Sequence, residues 1–243
     1  MKKKDKKTVY DQQSNDVTSF AHSPHVSRRN IEKKLMALIA LGIPALFDLH
    51  IGDIFKQTAA LLPGISLTQA KFTSASLTTL TCRTVIGAGV PVRAAHAVSD
   101  KYLIHFDTAD DPHQVWEIAQ QMLREFCDLV NTHSLTDYSS AVRQCCEHIH
   151  LKLHGNVSLE ELGEVCHLSP HYVSDIFRKE MGVGALQYAH QVKMQYAKFL
   201  LEHSDLGIAE IASSLSYPSH SNFSQRFKRT YGVTPHEFRA AFG

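Results

Sequence analysis

One stretch of this chain occurs twice. Slid back by fifty positions, residues 219–233, SHSNFSQRFKRTYGV, fall on residues 169–183, SPHYVSDIFRKEMGV. Ser169 meets Ser219, Ser174 meets Ser224, Phe177 meets Phe227, and Gly182–Val183 meets Gly232–Val233. The basic pair Arg178–Lys179 meets Lys228–Arg229. Upstream, LEELGEVC (159–166) falls on AEIASSLS (209–216) at the same shift and with no gap. A repeat of this length is a duplicated structural unit, so both copies must solve the same folding problem.

Each copy reads as two short helices joined by a tight turn. In the second, Ile208, Ile211, Ala212 and Leu215 form an apolar stripe at helical spacing. SYPS supplies the turn, Ser219 an N-cap, and Gly232 a left-handed C-terminal cap. Thr234, Pro235 and Glu237 then start another helix as a capping box with proline in its first turn. In the first copy Leu159, Leu162 and Val165 make the stripe, Ser169 caps, and Val173 with Phe177 packs inward. Helix–tight turn–helix is the helix-turn-helix plan, whose second helix lies in the DNA major groove.

The faces suit that plan. With Phe223 and Phe227 inward, Ser221, Gln225 and Lys228 point the other way, flanked by Ser224 and Arg229. In the first copy the outward set is His171, Asp175 and Arg178, flanked by Ser174 and Lys179. Short hydroxyls and amides reach base edges, while Lys and Arg meet phosphates. Between the copies, residues 184–204 carry a helical stripe of Leu186, Ala189, Val192, Met194, Ala197, Leu200 and Leu201. Roughly twenty helical residues span about 30 Å, close to the ~34 Å between successive major grooves on one face of DNA.

Charge alone does not point to DNA. The net charge is +1. Residues 1–34 hold nine basic groups against four acidic, 35–140 six against ten, and 141–243 ten against ten. A nucleic-acid footprint would have to be local. Within 221–243, Arg226, Lys228, Arg229 and Arg239 stand against Glu237 alone.

Residues 145–243 resemble the AraC/XylS family of bacterial transcription regulators. The resemblance rests on IAEIASSL (208–215), SNFSQRFKR (221–229), GVTPHEFR (232–239), LSPHYVSDIFRKEMG (168–182) and VKMQYAKFLL (192–201). It implies a domain with two helix-turn-helix units reading two successive major-groove segments of a promoter. By position, it places His171, Ser174, Asp175, His220, Ser221, Ser224 and Gln225 at bases. Arg178, Lys179, Lys193, Lys228 and Arg229 fall where phosphate contacts are expected. Activation through RNA polymerase is also what the resemblance suggests. Ser216 stands where family members usually carry glycine, and Gly163 replaces a usual alanine at a cost of order 1 kcal/mol in helix propensity. Asp175, where Arg is common, either accepts from a cytosine amino group or repels phosphate, the latter leaving the second unit more of the affinity.

The first half is also helical in pattern, so the fold class is all-α. Residues 1–27 read as a basic, polar arm, 28–135 as a mainly helical regulatory or dimerisation domain, and 140–243 as the DNA-binding domain. Ile31–Leu41, Leu77–Ile86 and 112–130 carry the periodicity, the last with Val115, Ile118, Ala119, Met122, Phe126 and Val130 on one face. That face motivates a homodimer through this half, or a control input whose effector is unknown. The short alternating strands of a jelly-roll sugar-binding domain are missing, and 79–103 is similar to a helical amino-terminal domain of some Gram-positive relatives. GAG (87–89) lacks the third glycine and preceding strand of a phosphate loop.

Sixteen histidines raise the question of metal, and CCEHIH (145–150) with His154 is the densest cluster. On a helix it reads as a polar face, not as two ligand pairs on loops, so no metal or other cofactor is expected. The place of His171 and His220 on the outward surfaces motivates the hypothesis that DNA affinity changes between pH 6 and 8. No nucleophile–base pair, paired carboxylates or reactive Pro–Cys–His stands out, so no catalytic residue is assigned. The alternatives are a helical interaction or scaffold protein, or an enzyme carrying an AraC-type module. The apolar run 35–47 is too short for a bilayer and broken by Pro44, and polar residues follow the basic start where a signal peptide is apolar. Five cysteines without framework spacing suit a reducing compartment, so a cytoplasmic location without membrane partner is expected.

Overall fold

The computed structural model describes residues 28–242, and the expected arm at 1–27 lies outside them. Twelve helices and no strand are found among the described residues. Five precede residue 136: α1 (Arg28–Leu41), α2 (Pro44–Leu61), α3 (Leu67–Gly87), α4 (Val92–Asp107) and α5 (Pro112–Leu135). Seven follow: α6 (Ser140–Leu151), α7 (Leu159–Cys166), α8 (Pro170–Met181), α9 (Ala185–His203), α10 (Ile208–Ser214), α11 (His220–Tyr231) and α12 (Pro235–Phe242).

The α5 stripe explains the first half. Val115, Ala119, Met122, Leu123, Phe126, Cys127 and Val130 are buried, and α1, α2, α3 and α4 all pack on this helix. Asp111 caps it by accepting from the Gln114 amide at 2.9 Å. Its apolar face is therefore spent inside the domain and does not supply the dimer contact it suggested. Gly42, at φ 61°, turns the chain from α1 into α2, and a Cβ there would stand 2.5 Å from Val130 Cγ1. That close approach, as well as the left-handed backbone, requires glycine.

The buried residues form two clusters. One runs from Ile31, Leu35 and Leu38 of α1 through Tyr196, Phe199 and Leu200 of α9 to Phe223, Phe227 and Phe238. The other joins Leu135, Val142, Cys145, Cys146 and Ile149 to Leu162, Val173, Phe177, Ala185 and Ala189. The duplicated units thus differ in surroundings. The first has its own core under α6; the second shares a core with the amino-terminal helices through α9. At that junction His50 Nε2 lies 2.8 Å from the Tyr196 hydroxyl.

His150, expected on a polar face, is buried on α6 with Nε2 3.0 Å from the Tyr188 hydroxyl and Nδ1 unpartnered. Burial pushes its pKa from 6.5 down to about 4. The folded imidazole stays neutral where the unfolded one accepts a proton. Stability is therefore whole above pH 6.5 and lost as pH falls from there towards 4. At pH 5 this histidine alone costs about 2 kcal/mol, at ~1.4 kcal/mol per pH unit. Urea midpoints of the wild type are expected to drop between pH 7.5 and 5.0. His150→Leu should lessen that drop, and His50 and His203, also pushed down to about 4 by burial, should sustain the rest; an unchanged pH slope in the variant contradicts the assignment.

Candidate nucleic-acid interface

The caps that fix each outward helix are in place. Ser169 Oγ accepts from the Tyr172 amide at 3.3 Å and Ser219 Oγ from the Asn222 amide at 3.1 Å. Each such cap contributes about 1 kcal/mol and sets where the helix begins. Gly182 (φ 73°) and Gly232 (φ 81°) end the same helices, their amides donating to the Arg178 and Lys228 carbonyls at 3.0 and 2.8 Å. Thr234 and Glu237 exchange hydrogen bonds at 2.8 and 3.2 Å, completing the box that starts α12. Val173 and Phe177 of α8, and Phe223 and Phe227 of α11, are fully buried.

The fifty-residue register does not hold throughout. Ser158 and Gly207 cap the first helices of the two units, whereas Ser169 and Ser219 cap the second helices. Through the first helices the offset is therefore forty-nine, so Gly163 pairs with Ala212, and the second turn holds one residue more. The left-handed turn residues agree: His167 at φ 56° and Ser216 at φ 58°. In each, an amide closes the turn, Leu168 on the Gly163 carbonyl at 2.9 Å and Tyr217 on the Ala212 carbonyl at 3.0 Å. The one-residue difference is hidden in an ungapped match because the longer, more similar second helices set the register. Gly163 is no mere loss of helix propensity, since a Cβ there would stand 2.7 Å from the Leu168 carbonyl oxygen.

With those frames set, the outward residues emerge as follows. On α11, His220, Ser221, Gln225, Lys228 and Arg229 are exposed and Ser224 is half-buried. Among the described residues, no side-chain hydrogen bond or ion pair engages Ser221, Gln225, Lys228 or Arg229. Helix α11 carries Arg226, Lys228 and Arg229 and no carboxylate. On α8, His171, Asp175, Arg178 and Lys179 are exposed and Ser174 is half-buried. Here two carboxylates offset the two cations. Asp175 Oδ2 lies 3.1 Å from His171 Nδ1, and Glu180 accepts from the Ser139 amide at 2.8 Å, capping α6. The basic pairs also sit in the last turns of their helices, where the macrodipole favours them by about 0.3–1 kcal/mol.

Lys193 departs from its expected place. It is only 5% exposed, and its ammonium donates to the Gly155 carbonyl at 2.6 Å and the Leu215 carbonyl at 2.8 Å, with Asn156 Oδ1 at 3.5 Å. It cannot reach a phosphate. It ties the loop after α6 to the end of α10, the first unit to the second. Two residues that the sequence marked for other reasons complete this joint: His154 Nδ1 donates to the Ser214 carbonyl at 2.8 Å, and Ser216 Oγ to the His154 carbonyl at 2.6 Å. The signal was present. Lys193 stands four residues from both Ala189 and Ala197 on the buried stripe of α9. Leu186, assigned to that stripe, is 41% exposed.

The cluster around residues 145–154 holds no metal arrangement. His148 Nε2 lies 2.7 Å from Glu161, which also accepts from Lys152, and no group of three or more potential ligands occurs among the described residues. No described helix is long and apolar enough to cross a membrane.

Residues 162–241 match the model of a helix-turn-helix domain family. The chain is 34% identical over 108 residues to the regulatory protein PocR of Salmonella typhimurium, covering 44% of this chain and 36% of that protein. It is 27% identical over 125 residues to the arabinose operon regulatory protein of Escherichia coli, covering 51% and 42%. Among solved structures, the C-terminal domain of AraT, a response regulator from Geobacillus stearothermophilus, shares 30% identity at a TM-score of 0.41. That match covers 42% of this chain and 86% of the other. The chain spans less than half the length of these curated relatives.

Proposed function

We propose, from the premise that residues 162–241 form an AraC-type helix-turn-helix domain, that the protein is a sequence-specific regulator of transcription. Helices α8 and α11 enter successive major-groove segments of a promoter. His171, Ser174 and Asp175, and His220, Ser221, Ser224 and Gln225, face bases. Arg178, Lys179, Lys228 and Arg229 meet phosphates. The observation that carries the reading is the pair of capped helices whose outward side chains are exposed, set on one rigid helix and locked at Lys193. The second unit grips harder, because α11 has three cations and no carboxylate.

The protein acts in the cytoplasm as an activator, with RNA polymerase as its partner. The amino-terminal helices supply a second-copy contact, a control input or both. The second-copy contact lies on the outer faces of α3 and α4, where Phe72 and Ile104 are 71% and 68% exposed. Lys71 bonds the Asp107 carbonyl at 2.8 Å, so both side chains stand at one end of this helical pair. Arg83 and Arg93 lie towards the opposite end from Asp107, Asp110 and Asp111, so a two-fold related copy sets basic against acidic. Sedimentation should show a dimer at micromolar concentration that Phe72→Asp with Ile104→Asp converts to monomer; a monomeric wild type removes this contact. Mapping the genomic sites the protein occupies tests the central reading. Discrete promoter sites are expected, and no enrichment over input favours the scaffold alternative.

A further inference from the structure

Two cysteines of the first unit lie together without being bonded. Cys145 Sγ on α6 is 3.3 Å from Cys166 Sγ, the last residue of α7, and all five cysteines are free. Cys166 Sγ also lies 3.3 Å from the Ala141 carbonyl and donates to it. With that proton so placed, the contact between sulfurs is the Cys145 thiol donating to Cys166. Cys145 is buried, and desolvation by burial, with the Cys166 hydrogen bond adding to it, holds its thiol protonated. Cys166 is only half-buried, so solutes reach it first. Cys146, the neighbour of Cys145, is fully buried with its thiol pushed up to about 12 by burial.

We propose that Cys145 and Cys166 are a reversible oxidation site at which hydroperoxides switch the first DNA-reading unit. Cys166 gives up its thiol proton to water and its sulfur attacks the peroxide O–O bond, forming a sulfenic acid; the leaving oxygen takes a proton back and departs as water or an alcohol. The Cys145 sulfur then displaces the sulfenic hydroxyl, which leaves as water with the Cys145 proton. The products are one disulfide and two molecules of water per hydrogen peroxide. Thiols reverse the bond by exchange.

The position makes the bond consequential. A disulfide brings the sulfurs from 3.3 Å to about 2.05 Å and removes the Cys166 hydrogen bond to Ala141. Cys166 directly precedes the left-handed His167, and the turn is packed against α7 so closely that Gly163 has no room for a Cβ. Movement of the last turn of α7 is therefore passed on to Ser169 and the start of α8, where His171, Ser174 and Asp175 stand. The second unit holds no cysteine.

The effect on DNA rests on the function proposed above, and the two fail separately. Full-length protein is treated with hydrogen peroxide, and its unreduced tryptic digest is analysed by mass. Peptides 144–152 and 153–178 should be joined, and dithiothreitol should part them. Cys146→Ser should keep the link; Cys145→Ser and Cys166→Ala should each abolish it, with thermal melts reporting that they fold. Absence of the link, or its persistence in either of the last two variants when folded, overturns the site. The DNA probe is a duplex enriched from a random pool by the reduced protein. Oxidation should lower its affinity at least tenfold in the wild type and leave Cys166→Ala within twofold. A linked protein that binds as tightly as the reduced one overturns the switch. If the reduced protein enriches no duplex, the DNA-binding reading fails while the peptide link still stands or falls on its own.

Discussion

Replacing Lys228 and Arg229 together by alanine is expected to weaken binding to an enriched duplex about a hundredfold at moderate salt. Charge-assisted contacts to phosphate are worth about 1.5–3 kcal/mol each, so two of them amount to roughly that factor or more. Both side chains are exposed, and no hydrogen bond or ion pair among the described residues holds either one. Folding loses the dipole interaction at the end of α11, at most about 1 kcal/mol, and a solvent-screened attraction between Lys228 and Glu237, so the melting curve should barely move. The slope of log affinity against log salt should shrink by about 2, near 0.9 for each phosphate contact. The matching change at Arg178 and Lys179 should cost less, because Asp175 and Glu180 already offset charge on α8. Equal losses from the two pairs would deny that the second unit dominates, and an unchanged slope would deny the phosphate assignment altogether.

Lys193→Ala is expected to do the reverse. The ammonium is buried and satisfies the Gly155 and Leu215 carbonyls, which the variant leaves without a donor. Removing one side of a buried, charge-assisted pair of hydrogen bonds costs about 3 kcal/mol. For a chain of this size that lowers the melting temperature by roughly 6–12 °C. The salt slope should stay the same, because no phosphate contact is lost. Affinity should fall through geometry, since the joint at Lys193, His154 and Ser216 fixes one unit against the other. A stable variant with a reduced slope would return Lys193 to the DNA surface.

The contrast between these lysines shows what the sequence could convey. Lys228 lies opposite Phe223 and Phe227, so helical periodicity put it outside, as found. Lys193 lies on the buried stripe of α9, and the same periodicity placed it inside. Position by analogy with relatives overrode that geometry and gave the wrong side. Caps, turn glycines and the aromatic pairs were legible because each depends on neighbours within about four residues. The burial of His150, the pairing of Cys145 with Cys166 and the joint at Ser216 depend on partners 38, 21 and 62 residues away. No local pattern encodes such distances. The extra turn residue was hidden for a different reason, since the duplicated second helices dominate any ungapped match.

The split of the core also bears on regulation. The amino-terminal helices share their buried cluster with α9 and the second unit, while the first unit packs on α6. On the proposed reading, a signal received in the first half would meet α11 through α1 and α9, and the cysteine pair would act on α8.

A rigid reader of two groove segments must be sensitive to the spacing between them. The measurement is affinity for the enriched duplex before and after insertion of about five base pairs, half a helical turn, between its two contacted elements. With α9 rigid and the units locked at Lys193, the insertion turns one element to the far face, and affinity should fall at least fiftyfold. Affinity unchanged within a factor of two would mean that one helix binds alone or the units move independently, and that the protein is not a rigid two-groove reader.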